Sequence, residues 1–163
     1  MNNKLPGAIF LIFLVGCATP QQSDAPNFAV VEPGIYRGGN PTPQGWQWIR
    51  SLGVTNVVML STPAEASEAP ALKLGLHVAR FPITIEEQTV GKPPCPLIES
   101  AVKEIKPGTY VCCLHGQDRT GVVVAFYRLR KCGWSREAAE QEMMELGFHA
   151  WLRGLYWAWE ECQ

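Results

Sequence analysis

Val111-Cys112-Cys113-Leu114-His115-Gly116-Gln117-Asp118-Arg119-Thr120-Gly121 joins a short apolar, strand-like run to a long apolar, helix-like one. As chemistry, the stretch reads as a phosphate-binding loop that carries a cysteine nucleophile. Holding a phosphoryl group asks for backbone N–H groups curled around its oxygens, a helix N-terminus aimed at the same point, and a guanidinium that grips two oxygens at once. Cys113, five residues and Arg119 supply all three in a span short enough to force a tight cradle. Leu114, His115, Gly116, Gln117, Asp118 and Arg119 are then the phosphate-binding residues, with Gly116 mid-loop where positive φ or a close backbone approach is needed. The helix N-terminus and Arg119 both favour the thiolate of Cys113 over its thiol, which readies it to attack phosphorus.

Outward from this stretch the chain alternates between strand and helix patterns. Thr55 to Ser61 is apolar and β-branched, of the length of a buried parallel strand, and His77 to Ile83 alternates as a second. A short strand within Pro33 to Thr42 leads into a turn-rich loop, where Arg37 is at the pocket rim, solvated or structural. Helices are expected from Pro43 to Leu52, around Pro70 within Pro63 to Leu74, from Leu97 to Ile105, and from Arg136 to Leu146 behind a Ser135 cap. Val122 to Leu129 is apolar nearly all round and belongs in the interior. Trp151, Leu155, Trp157 and Trp159 in the last segment read as core packing. The pattern implies an α/β fold: a central, mostly parallel sheet of about four or five strands flanked by helices. The phosphate-binding loop lies between the last core strand and a buried helix.

With 163 residues the chain has room for one such domain, and a net charge of -1 gives no sign of a nucleic-acid partner. Residues 1–17 read as a signal peptide, with Lys4 giving a positive start and Leu5 to Val15 an apolar run too short to span a bilayer. Leu14-Val15-Gly16-Cys17 resembles a bacterial lipobox, which implies a lipid anchor on Cys17 and, with Ala18 following, an outer-membrane address facing the periplasm. Residues 18–27 read as a flexible tether and 28–163 as the catalytic domain. Cys95, Cys112, Cys113, Cys132 and Cys162 show no regular disulfide framework and are read mostly as small buried hydrophobes. A zinc site from Cys112, Cys113 and His115 lacks a second ligand pair, so neither metal nor cofactor is expected.

The cradle resembles the signature His-Cys-x5-Arg-Ser/Thr-Gly of the cysteine-dependent phosphatases, the protein tyrosine and dual-specificity superfamily. The resemblance implies that Cys113 becomes phosphocysteine, Arg119 clamps the phosphate and the Thr120 hydroxyl steadies the thiolate. Cys112 departs from it, standing where the family usually has His. Tyr36-Arg37 with Pro41 resembles the opening of the small dual-specificity-like members.

A leaving oxygen needs a proton, and in this family the donor is commonly an Asp on the loop before the signature. Here that loop, Pro82 to Pro96, has none; the chain's Asp residues are Asp24, in the tether, and Asp118. The candidates for the acid are therefore Asp118 and, alternatively, Glu86 or Glu87 on the loop. Asp118-Arg119-Thr120 resembles the signatures of myotubularin-like and Sac-like phosphoinositide phosphatases, which favours Asp118. His115 offers a partial positive charge for a neighbouring phosphate, and His77 and His149 read as packing or capping residues.

The leading expectation is hydrolysis of phosphomonoesters, with inositol polyphosphates such as phytate as substrate and a basic rim drawn from Arg37, Lys73, Arg80, Lys92, Arg128 and Arg153. A protein tyrosine or dual-specificity phosphatase is the second reading, and a non-enzymatic phosphate-binding lipoprotein the third. A rhodanese-like sulfurtransferase fits the loop less well, because Arg119-Thr120-Gly121 follows the cysteine.

Overall fold

The computed structural model of the protein describes residues 24–162. Strands β1 (Ala29–Glu32), β2 (Ile35–Gly39), β3 (Asn56–Met59), β4 (His77–Arg80) and β5 (Thr109–Cys113) form one sheet in the order β1-β2-β5-β3-β4. Every residue of β5 and three of four in β3 are buried, as expected of strands covered on both faces. Only the edge strand β1 runs antiparallel; β2, β5, β3 and β4 are parallel. The register sets Gly39 beside Cys113 and Met59 beside Cys112, so three strands end together and their outgoing loops converge. Ligand sites in open parallel sheets form at such an end.

Seven helices cover the sheet among the described residues: α1 (Pro43–Ser51), α2 (Ala69–Lys73), α3 (Ile85–Thr89), α4 (Cys95–Lys103), α5 (Asp118–Lys131), α6 (Arg136–Glu145) and α7 (Arg153–Glu161). Residues Arg119 to Arg128 of α5 are all buried, and α5 packs on β5 with α4, α6 and α7 around it. This is the interior helix that the apolar run after the cradle implies. Trp46 and Ile49 of α1 pack on the other face with Val57, Met59, Tyr110 and Cys112. Because alternate residues of a strand point to opposite faces, Cys112 lies in that layer and Cys113 in the layer with α5.

Several expectations need correction. Asp24 to Asn27 is not tether: Thr42 donates through its N–H to Asp24 O at 2.9 Å and through its hydroxyl to Asp24 Oδ1 at 2.8 Å, and Ala25 is buried. The Pro63 to Leu74 helix shrinks to Ala69–Lys73, since Thr62 and Glu65 close a turn of their own. The Pro82 to Pro96 loop contains α3, capped by Thr84 and Glu87. Cys95 and Cys162 are not separate hydrophobes but a disulfide that ties the start of α4 to the end of α7. Strand β1 was not foreseen. No helix among the described residues is long and apolar enough to cross a membrane, and Cys17 with the signal segment lies outside them.

Candidate active site

The loop from Leu114 to Gln117 links β5 to α5, and the orientation of its peptides decides its chemistry. All four of its carbonyls are engaged on the β2 side. Asn40 N–H donates to Leu114 O at 3.1 Å, Asn27 Nδ2 to His115 O at 2.8 Å, and Arg37 Nη2 to Gly116 O at 2.9 Å and Gln117 O at 3.4 Å. In a trans peptide the N–H points opposite the carbonyl. With the carbonyls drawn outward, the N–H groups face the hollow above Cys113, and Gly116 N–H donates to Cys113 Sγ at 3.2 Å. Gly116 has φ +81°, and a Cβ there would stand 2.2 Å from Gly38 C and Gly39 N. Only glycine permits both that backbone and that approach.

Arg119 is the second residue of α5 and is 3% exposed. Its Nη1 donates to Glu65 Oε2 at 2.7 Å and to Ile83 O at 3.0 Å, and its Nη2 to Glu65 Oε1 at 3.0 Å. A guanidinium has five N–H bonds. Three are occupied, and the two that remain, on Nε and Nη2, lie along one edge as a parallel pair suited to two phosphate oxygens. Glu65 is itself held by Thr62 N–H and the Thr62 hydroxyl. Burial raises the Glu65 pKa, but the bonds from Arg119 and Thr62 outweigh it and hold the carboxyl below its usual range. The sequence reading missed Glu65; its signal was the Thr62-x-x-Glu65 spacing at the end of β3, the pattern of a capped turn.

Arg37 is neither at the rim nor solvated. It is 1% exposed beneath the cradle, and its Nε and Nη1 have no hydrogen-bond partner among the described residues. Burial draws its pKa down while Glu142 and Cys113 pull it back. The group stays a cation. The Thr120 hydroxyl, expected against the thiolate, lies 3.5 Å from Gly38 O instead.

A cleft of about 460 Å³ opens beside the cradle, lined by His115, Gln117 and Asp118, by Ile85, Gln88 and Thr89 of α3, and by His149, Trp151 and Leu152. Residues 85, 88 and 89 share one helix face, so Glu86 and Glu87 look elsewhere. Glu87 accepts the Thr84 N–H at 2.7 Å in a capping box, and Glu86 is exposed. Asp118 Oδ1 accepts the His149 N–H at 2.8 Å and faces His149 Nδ1 at 2.9 Å. Among the described residues, none of the arginines and lysines expected as a basic rim lines this cleft. Arg80 pairs with Glu68, Lys92 with Glu161 and Arg128 with Glu142; Arg153 covers Trp157, and Lys73 lines a separate groove near α1. No cluster among the described residues has the His, Cys, Asp or Glu set to hold a metal ion.

Residues 24–148 match the family model described as the tyrosine phosphatase family. The chain belongs to that family. Its sheet, its strand-to-helix loop and its buried helix fit that family's fold. The dual-specificity protein phosphatase TpbA of Pseudomonas aeruginosa is 27% identical over 125 residues, 75% of this chain and 55% of the relative. The inositol diphosphatase DSP3 of Arabidopsis thaliana is 26% identical over 110 residues, 63% of this chain and 53% of the relative. The chain thus spans about half the length of these curated relatives. A crystal structure of P. aeruginosa TpbA superposes with a TM-score of 0.68 at 21% identity, covering 87% of this chain and 92% of that one. The core catalytic domain of the PP-IP phosphatase SIW14 from S. cerevisiae, in complex with citrate, does so with 0.68 at 21%, covering 85% and 87%. Both share the fold.

Proposed function

We propose that this protein hydrolyses phosphomonoesters through a phosphocysteine on Cys113. The observation that carries the reading is the orientation of the cradle. Carbonyls 114 to 117 are tied outward, Gly116 N–H rests on Sγ, and the Nε–Nη2 edge of Arg119 is left for phosphate. In the first step the Cys113 thiolate attacks phosphorus, the S–P bond forms and the P–O bond to the leaving group breaks. In the second, water attacks phosphorus and the thiolate leaves. Inward N–H groups and Arg119 match the charge on the equatorial oxygens in both steps. Thr120 shapes the cradle from the β2 side.

For the substrate, the rim favours a single phosphate on an aromatic or apolar carrier. Trp151 is 69% and Ile85 63% exposed at the cleft, while the basic side chains that line it among the described residues are His115 and His149. The second reading, inositol polyphosphates, draws support from the likeness to DSP3 and SIW14 and from Asp118-Arg119-Thr120. It asks two histidines to do the work of a cationic ring. The envelope address through a lipid on Cys17 remains part of the reading, and the Cys95–Cys162 disulfide suits an oxidising compartment.

The test is phosphate release by the full-length chain from a phosphotyrosine peptide and from phytate, each beside Cys113→Ser. Faster Cys113-dependent release from the peptide is expected; a preference for phytate would reverse the two readings. Activity that survives Cys113→Ser would refute the phosphocysteine.

A further inference from the structure

The phosphocysteine reading leaves open which group protonates the leaving oxygen. The segment between β4 and α4 has no Asp, Glu87 is engaged in the α3 cap, and Glu86 does not line the cleft. Asp118 is at the cleft, yet its Oδ1 already accepts from the main-chain N–H of His149 and faces the imidazole Nδ1. The end of α6 builds this pairing. Gly147 and Phe148 fold their N–H groups back onto Met144 O and Met143 O, and the turn delivers His149 to the first residue of α5.

We propose that His149 is the general acid and base of the reaction, with Asp118 as its positioning residue. The inference rests on the phosphocysteine reading above. An ionised carboxylate only accepts hydrogen bonds, so the Nδ1 that faces Asp118 carries a proton and Nε2 is the end left to exchange one. The same carboxylate oxygen meets both its ring and its backbone N–H, which favours this orientation of the ring. Its side chain is 43% exposed, against 14% for Asp118, and it lines the cleft beside the cradle. The Trp151 ring, centred 5.6 Å from it, walls one side. The titratable groups that meet the imidazole in this cleft are Asp118 and His115, with Cys113 beneath the loop; α3 presents Ile85, Gln88 and Thr89, and the following turn Trp151 and Leu152, all uncharged.

The proton balance closes. As the Cys113 thiolate attacks, the electron pair of the breaking P–O bond goes to the leaving oxygen, which takes the proton from Nε2. Neutral Nε2 then accepts a proton from the water that attacks phosphocysteine, the S–P bond breaks to release the thiolate, and the imidazolium is restored for the next turnover. Were Asp118 the donor, its protonation would remove the charge that holds the imidazole.

His149→Asn tests this, because its side-chain amide keeps a donor near the Nδ1 position for Asp118 and removes Nε2. The substrates are phenyl phosphate, whose leaving group needs a proton, and 2,4-dinitrophenyl phosphate, whose leaving group does not. For the full-length protein, kcat/KM on phenyl phosphate should fall about 10²–10³-fold, while that on the dinitrophenyl ester changes less than about threefold. The alkaline limb of the phenyl phosphate profile should vanish, since a general acid must be protonated to act. Asp118→Asn should shift the same ratio in the same direction and by less. An unchanged ratio in His149→Asn would overturn the assignment, as would a larger shift in Asp118→Asn. Both readouts are ratios on one preparation and are independent of the folded fraction. If instead Cys113→Ser retains turnover of either ester, the phosphocysteine reading fails, which is a separate result.

Discussion

Replacing Gly116 by Ala separates two effects that a tight loop combines. The first is conformational: at φ +81° an Ala costs about 1–2 kcal/mol. The second is contact: its Cβ would lie 2.2 Å from Gly38 C and Gly39 N, so the cradle must retreat from β2 by more than 1 Å to restore van der Waals distance. Retreat stretches the bonds from Arg37 Nη2 to Gly116 O, now 2.9 Å, and from Asn40 N to Leu114 O, now 3.1 Å. Each buried hydrogen bond contributes about 1 kcal/mol, so Gly116→Ala should destabilise by about 3–4 kcal/mol in all. Gly53→Ala is the matched control, with φ +86° and nothing within 4 Å of its Cβ, and should cost only the conformational 1–2 kcal/mol, about half as much. Parallel urea titrations give the difference, and kcat/KM on an aryl phosphate should fall about 100-fold for Gly116→Ala, as a shift of about 1 Å in positioning groups does. Equal destabilisation by the two variants would refute the reasoning that the cradle is braced against β2.

Two further outcomes follow from the same structure. The Cys95–Cys162 bridge spans a sequence separation of 67, and loop-closure entropy assigns it about 4 kcal/mol. Cys95→Ser, or reductant on the wild type, should lower the urea midpoint together, and an unchanged midpoint would show that the packing of α7 suffices. Glu65 has its pKa lowered from the ordinary 4.5, so its stabilisation is complete above that pH and is lost as pH falls through the folded value. The stability gap between wild type and Glu65→Gln should therefore be wide at pH 7 and close in acid; a gap independent of pH would contradict the ion pair.

The parallel sheet and interior helix were legible because their signals are local and strong. Val57 to Met59, Tyr110 to Cys112 and Val122 to Tyr127 each carry an unbroken apolar run, and a covered strand or a buried helix accounts for each. The Cys113 to Arg119 spacing marks the cradle once Gly116, Thr120, Gly121 and the strand-to-helix junction are read with it. What escaped reading depends on contacts across many residues. Glu65 meets Arg119 over 54 positions and His149 meets Asp118 over 31, and neither pair has a sequence spacing that announces it. The disulfide escaped because 67 residues separate its cysteines, and nothing but the fold brings α4 and α7 together. Two local signals were present and passed over. Thr84-x-x-Glu87 is a capping box, and Thr62-x-x-Glu65 closes a capped turn.

The departure of Cys112 from the His of the family signature bears on what steadies the loop. On β5 its side chain faces α1, away from Cys113, and burial with the neighbouring Cys113 pushes its pKa well above the ordinary value. It is a neutral apolar residue and donates nothing to the cradle. The support comes instead from the opposite edge. Tyr110 OH donates to Gly39 O at 2.7 Å and Gly39 N–H to Pro26 O, which fixes the end of β2, and from there Arg37, Asn40 and Asn27 hold the four loop carbonyls. Arg37 thus does two things: it turns the loop peptides and places a buried cation near Cys113. A buried guanidinium with two nitrogens unpartnered is costly. That cost is offset when a thiolate, or a phosphate dianion above it, shares the same low-dielectric space.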